Sequence, residues 1–454
     1  MTARQRLFAL LLALSPALAM AAAGARVEEF TLDNGLKIIV QPDHRTPVVV
    51  SQIWYKVGSG YEPSGITGIS HALEHMMFQG TARHPPGELS RIIADNGGRQ
   101  NAFTSRDFTA YFQQLESSRL SVSFELEADR MQHLTLAPQR FAKEIQVVME
   151  ERRLRTEDDP QAATAEIANA TAYQVSPYRH PVIGWMSDLK AMTVDELRHW
   201  YQRWYAPNNA TLVVVGDVDP QAVVQLARKY FAAIPRSQIM PAPLGAEPAQ
   251  HGMKRVTVNL PAQLPYLLVQ YHAPSLAVAI RDPKATPESD AYALELIAQL
   301  LAGDPSARLD RELKRGTGVV AEVDTDYDLY ARRNTLFSID AVPATGKTLD
   351  EVEQALHAQI RALQDAPVGT EELARVKTRL VAQNVFERDS VFYQAMQIGI
   401  LESAGIGWRR KDEYVDQIRA LTPAKIQAAA RRYLNDQTMT VTMLKPQTPE
   451  GAPP

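Results

Sequence analysis

The decapeptide HALEHMMFQG, His71 to Gly80, places two histidines four residues apart with a glutamate directly before the second. On a helix, positions i and i+4 share a face, so His71 and His75 aim two imidazoles at one point. Glu74 sits beside His75 and three residues beyond His71, which brings its carboxylate to the edge of the same site. Two neutral imidazoles suit Zn²⁺, and a catalytic zinc needs a third protein ligand and an open position for water. A carboxylate next to that water can take its proton.

The third ligand must come from elsewhere in the chain. There is no cysteine, so no thiolate is available and no disulfide forms. The stretch EIQVVMEERRLRTEDDP begins at Glu144 and contains Glu150 and Glu151. Glu144 and Glu151 are seven apart, two helical turns, and share a face from which Glu150 points away. Taken alone, a Glu-rich helix of this kind reads first as a solvated charged face. A further segment, GGRQNAFTSRDFTAYF from Gly97 to Phe112, reads as strand with a polar turn.

The order H-x-x-E-H is the inverzincin signature, and here the chain resembles the pitrilysin/insulinase family of zinc peptidases, in its half-length, processing-peptidase-like branch. Glu151 stands 76 residues beyond His75, and Glu144 stands seven before Glu151, which matches the family's spacing. The likeness extends over nearly all of the chain after its leader, including His180 to Pro220 and SARLDREL in the second half. The resemblance implies that His71, His75 and Glu151 bind zinc. It implies that Glu74 is the general base and that Glu144 is a further carboxylate orienting the site. It also implies that Asn101, Ala102 and Phe103, in an edge strand beside the zinc, line the substrate cleft, where an extended peptide can add to the sheet.

The pattern departs from the family in the second half. Active members supply an Arg and, seven residues later, a Tyr that bind the substrate carbonyl. In LKRGTGVVAEV, Lys314 falls at the Arg position and Ala321 at the Tyr position; Arg315 is adjacent, and Tyr327 lies too far along. The resemblance therefore implies a related half-length partner chain that contributes the pair, in a heterodimer, with a homodimer as the alternative.

The elements that must position these groups follow from patterning. FTLDNGLKIIVQ reads as a hairpin turning at Asn34-Gly35. Val48 to Gly60 reads as a strand ending in glycines, and Gly65 to Gly80 as a glycine-bounded helix. Further helices are expected at Gly87 to Ala94, Leu120 to Leu134 and about Pro138 to Arg155, with a strand at Asn209 to Val218. The alternation favours mixed α/β or α+β layers, and an α+β fold is expected. Two similar α/β sandwich halves are expected, 26–234 and 253–445, each a mainly antiparallel sheet packed with helices. Residues 235–252, rich in Pro, Ala and Gly, read as the linker. The halves repeat weakly: Tyr266 to Ser275 resembles the strand at Val48, and Ala293 to Leu309 sits where the histidine motif sits.

The chain has 454 residues, 45% of them hydrophobic and 22% charged, an ordinary globular profile long enough for two domains. A formal net charge of −4 gives no broad basic surface for nucleic acid. Residues 1–25 read as a secretory signal peptide, with Arg4 and Arg6 before an apolar run and A-x-A-like sites after it. That run is too short to span a membrane, and no other segment is apolar for long enough. Export without cysteines points to a bacterial periplasm, and residues 446–454 to a disordered tail. The expected function is a zinc endopeptidase acting on peptides or unfolded segments in a clamshell chamber. The alternatives are a non-catalytic scaffold subunit and a processing peptidase with one dedicated precursor.

Overall fold

A computed structural model of the chain describes residues 26–239 and 247–447. The expected signal peptide, the middle of the expected linker and the chain beyond Gln447 lie outside the described residues. Among the described residues no helix is long and apolar enough to cross a membrane.

The first half is a six-stranded sheet built from β1 (Glu28–Thr31), β2 (Lys37–Pro42), β3 (Val48–Tyr55), β4 (Arg99–Thr104), β5 (Thr109–Glu116) and β6 (Ala210–Gly216). Their spatial order is β1-β2-β6-β3-β5-β4. β1 and β2 form the expected hairpin, with Asn34 donating to the Phe231 and Ile234 carbonyls and Gly35 at φ 89°. The second half is a five-stranded sheet of β7 (Lys254–Pro261), β8 (Tyr266–Ala273), β9 (Val320–Tyr327), β10 (Thr335–Pro343) and β11 (Met439–Gln447), in the order β7-β11-β8-β10-β9. With β1 set aside the two orders are the same. Each sheet has one parallel pair, β2 with β6 and β7 with β11, and is otherwise antiparallel.

The sequence of helices repeats too. In each half β3 or β8 leads to a helix, Ile69–Met76 or Glu288–Ala302, and β5 or β10 leads to a pair of long helices. The next helix then leaves its own half. Pro160–Ala172 packs on β7, β8 and β11 of the second sheet, and Val391–Ala404 packs on β3 and β6 of the first. Each sheet thus has its own helices on one face and a borrowed helix on the other, so both faces are buried. Ile39, Val50, Trp54, Val213 and Val215 meet Ala395 and Ile398 of the borrowed helix. A Cβ on Gly399 would lie 1.9 Å from the Trp54 indole, so only glycine permits this approach. Lys37 to Glu402 at 2.8 Å ties the halves again at the rim.

Several boundaries differ from expectation, among them the strand from Val48, which ends at Tyr55 rather than Gly60. The motif helix starts at Ile69 rather than Gly65, because Gly65 and Gly68 take positive φ and turn the chain into the helix. The helix from Pro138 ends as an α-helix at Arg152 and widens into a looser turn over Arg153–Glu157. β11 runs on through Gln447, since Pro446 and Gln447 pair with Leu260 and Pro261. The described ends of 235–252 are docked: Ser237 bonds the Asn208 side chain, and the Glu247 carboxylate accepts from the Val175 and Ser176 amides.

Candidate metal centre

The motif helix is held by its N-terminus. Its first amides would be unpaired, but the buried Glu62 carboxylate accepts from Gly68 N at 2.7 Å and Ser70 N at 2.8 Å. A carboxylate there also favours the helix dipole. Burial pushes the Glu62 carboxyl up to about 7 against those hydrogen bonds. Asp188 accepts from Gly65 N and from both Thr67 donors. Gly68 and Gly184 touch through their backbones; a Cβ on either would come within 2.5 Å of a carbonyl oxygen. Ala72, Leu73 and Met76 are buried beneath, which leaves His71, Glu74 and His75 on the side facing a cleft.

The helix Pro138–Arg152 buries Phe141, Ile145, Val148 and Met149 and presents Glu144 and Glu151 to the motif helix. Its last residue, Arg152, donates to both Glu166 oxygens and to the Gly184 carbonyl, which locks this helix to the same loop that caps the motif helix. Glu150 turns out to Arg153.

His71, His75 and Glu151 come together: one ligand atom from each lies within 4.8 Å of the others. Glu151 Oε2 is 3.8 Å from His71 Nε2 and 3.4 Å from His75 Nε2. Tetrahedral zinc with bonds of about 2.1 Å sets donors roughly 3.4 Å apart, so the donor set fits the ion. Burial, then the charges of His75 and Arg155, push the His71 imidazole down to about 3, which keeps it neutral as a ligand must be. Its Nδ1 is buried without a hydrogen-bond partner among the described residues. His75 differs, with Nδ1 3.4 Å from Glu144 Oε2, while Gln79 donates to the other Glu144 oxygen at 2.8 Å. The remaining Glu151 oxygen takes Arg155 at 2.6 Å.

Glu74 borders this cluster. Burial raises its carboxyl above the ordinary value, against a 2.5 Å hydrogen bond from Thr104 Oγ1. Thr104 ends β4, which among the described residues pairs only with β5 and leaves its other edge free at the sheet margin. Asn101, Ala102 and Phe103 line the same cleft of about 780 Å³ as the histidines, Glu74 and Glu151. Their side chains contribute unequally. Phe103 is committed to Trp54 and Phe108, and Asn101 caps the next amide. The strand therefore offers the cleft mainly its backbone.

Sequence reasoning did not single out Thr104, Gln79, Arg155 or Glu62. Gln79 stands one helical turn beyond His75, and Thr104 lies within NAFT, so both were within reach of the motifs. Glu62 has no local signal, because its partners are backbone amides.

The comparisons with known proteins follow this geometry. The model of the insulinase family (peptidase family M16) matches residues 37–184, and that of the peptidase M16 inactive domain matches residues 191–380. Among curated proteins, the chain is 29% identical over 424 residues to "Zinc protease PqqE" of Helicobacter pylori, covering 92% of this chain and 93% of that one. It is 24% identical over 425 residues to "Probable mitochondrial-processing peptidase subunit beta, mitochondrial" of Arabidopsis thaliana, covering 92% and 78%. The crystal structure of "a protease from Helicobacter pylori" superposes with a TM-score of 0.87 at 28% identity, covering 93% of this chain and 100% of that one.

Proposed function

The chain belongs to the insulinase family, peptidase family M16, as a half-length member, and from that premise we propose that it is a zinc-dependent endopeptidase. The convergence of His71, His75 and Glu151, with Glu74 at their border and a free strand edge alongside, carries this reading. Zinc held by those three residues would supply Lewis acidity.

The chain's own groups do the rest. An extended peptide adds to the free edge of β4 through backbone hydrogen bonds, so sequence matters less than shape. Glu74 takes the proton of the attacking water at its carboxylate. Thr104 fixes the orientation of that carboxylate. Glu144 holds His75 by Nδ1 and leaves Nε2 free to ligate.

The groups that stabilise the developing oxyanion are proposed to come from a related partner chain. Lys314 and Ala321 occupy the Arg and Tyr positions and are both exposed, and Arg315 is turned onto the Pro305 carbonyl. On this reading the chain forms a two-chain clamshell in the periplasm with a related half-length subunit. The exposed Lys314 and Ala321 also favour the second reading, a non-catalytic scaffold subunit.

The deciding experiment is cleavage of an unstructured quenched-fluorescent peptide by the zinc-loaded chain, alone and mixed with a co-exported relative. Activity that appears only on mixing supports the shared site. Turnover by the chain alone removes the need for a partner. Silence in both, with zinc bound, favours the scaffold or a single dedicated precursor.

A further inference from the structure

The second half holds a pocket of acids and tyrosines where the first half holds its histidines. The helix Glu288–Ala302 follows β8 as the motif helix follows β3. Its Tyr292-Ala293-Leu294-Glu295-Leu296 repeats the register of His71-Ala72-Leu73-Glu74-His75, with Tyr292 and Leu296 at the imidazole positions. Ala293 and Leu294 are buried as Ala72 and Leu73 are, so both helices show the same face and Glu295 takes the place of Glu74. The helix Thr370–Glu387 is second after β10, as the Glu144/Glu151 helix is second after β5, and supplies Asn384 and Glu387. The turn after β9 supplies Asp328. These side chains line one cavity of about 370 Å³ walled by Tyr330 and Tyr393, and among the described residues its lining includes no basic side chain.

Among the described residues the pocket's lining carries three carboxylates and no positive charge, and the neutral Gln383 amide donates to Glu387. Burial first, then Asp328, Asp326 and Glu387, push the half-buried Glu295 carboxyl up to about 7, and no basic group offsets them. Asn384 is only 6% exposed, and among the described residues its carboxamide oxygen has no hydrogen-bond partner. A buried acceptor left open calls for an explanation, and here it lines a cavity that also holds the Glu295, Asp328 and Glu387 carboxylates. A single small ion does not suit the pocket. Among the described residues the donors that converge tightly enough for one are those of His71, His75 and Glu151. A larger cation with several N–H donors does suit it, and tyrosine faces attract such groups.

We propose that this pocket binds a primary ammonium or guanidinium group, as carried by a lysine or arginine side chain. The charged head lies between Glu295, Asp328 and Glu387 and donates to Asn384 Oδ1, and the aliphatic stem lies against Tyr330 and Tyr393. The site stands on the second half alone and does not depend on zinc in the first.

The test is fluorescence anisotropy of short labelled peptides with a central lysine, arginine or norleucine, titrated with the full chain in EDTA so that no cleavage competes. Lysine and arginine peptides are expected to bind about ten-fold or more tightly than the norleucine peptide, and less so as salt rises. Glu295→Gln is expected to remove most of that preference. Glu387→Gln, at an exposed position, repeats the test without risk to the core. Displacement of the lysine peptide by spermidine extends the site to free polyamines, and failure to displace confines it to peptide side chains. Equal binding of lysine and norleucine peptides overturns the proposal. So does a lysine preference that survives both variants, since the cation then sits elsewhere.

Discussion

The two halves share one architecture and differ in what they hold. β3 and β8 each lead into a helix with the A-L-E register, and the paired helices after β5 and β10 each bring carboxylates towards it. In the first half those carboxylates meet His71 and His75. In the second, where Tyr292 and Leu296 stand at the imidazole positions, Glu387 lines a pocket with Glu295 and Asp328. The fold supplies positions, and a pair of side chains decides whether a position holds a metal or a pocket of acids.

The sharpest way to break the contrast is to disarm the first half. Glu74→Gln keeps the shape and the ligands but removes the base, so turnover should fall on the order of 10² to 10⁴-fold with zinc retained. Steady-state kinetics beside metal analysis check this, and unchanged turnover would sink the role of Glu74. Next in size is Glu144→Gln. It loosens His75 and should weaken zinc about ten- to a hundred-fold, read by competition with a chromogenic chelator. An unchanged zinc affinity would mean that Glu144 is only a neighbour.

Gly399→Ala tests the exchange of helices between the halves. Its methyl would run into Trp54, and overpacking of this kind costs about 1–3 kcal/mol. Denaturant unfolding should show the loss, and full stability would mean that the borrowed helix rides loosely on the sheet.

The smallest effect sharpens the second half. Glu295 is raised to about 7 from an ordinary 4.5, so the folded state favours its protonated form. The stability this contributes is complete below the ordinary carboxylate value and is lost as pH rises through about 7. Glu295→Gln cannot ionise, so its melting temperature should gain on the parent from pH 5 to pH 8. Parallel melting curves across that range would contradict the burial of this carboxylate.

Much of the first site was legible in the sequence, because its core is local. His71, Glu74 and His75 are related by one helical period, and Glu144 and Glu151 by two. The same rule explains why Glu150 was set aside, and it faces Arg153. The strands around Asn34-Gly35, Val48 and Asn209 were legible from β-rich runs and turn residues. The helix ends were less so: Gly65 bounds the motif in sequence, but Gly68, in contact with Gly184, starts the helix.

By itself the sequence determined which groups could act together along one helix and how the strands and helices repeat. That information sits in spacing and side-chain type, and backbone geometry converts it directly into faces. Only the tertiary structure decided that Glu62 caps the motif helix, that Thr104 holds Glu74, and that each half lends a helix to the other's sheet. It alone gathered Glu295, Asp328, Asn384 and Glu387 around one cavity. Apart from the Glu62 cap, whose amides lie six and eight residues along, these contacts join residues far apart in the chain, and no local period records any of them.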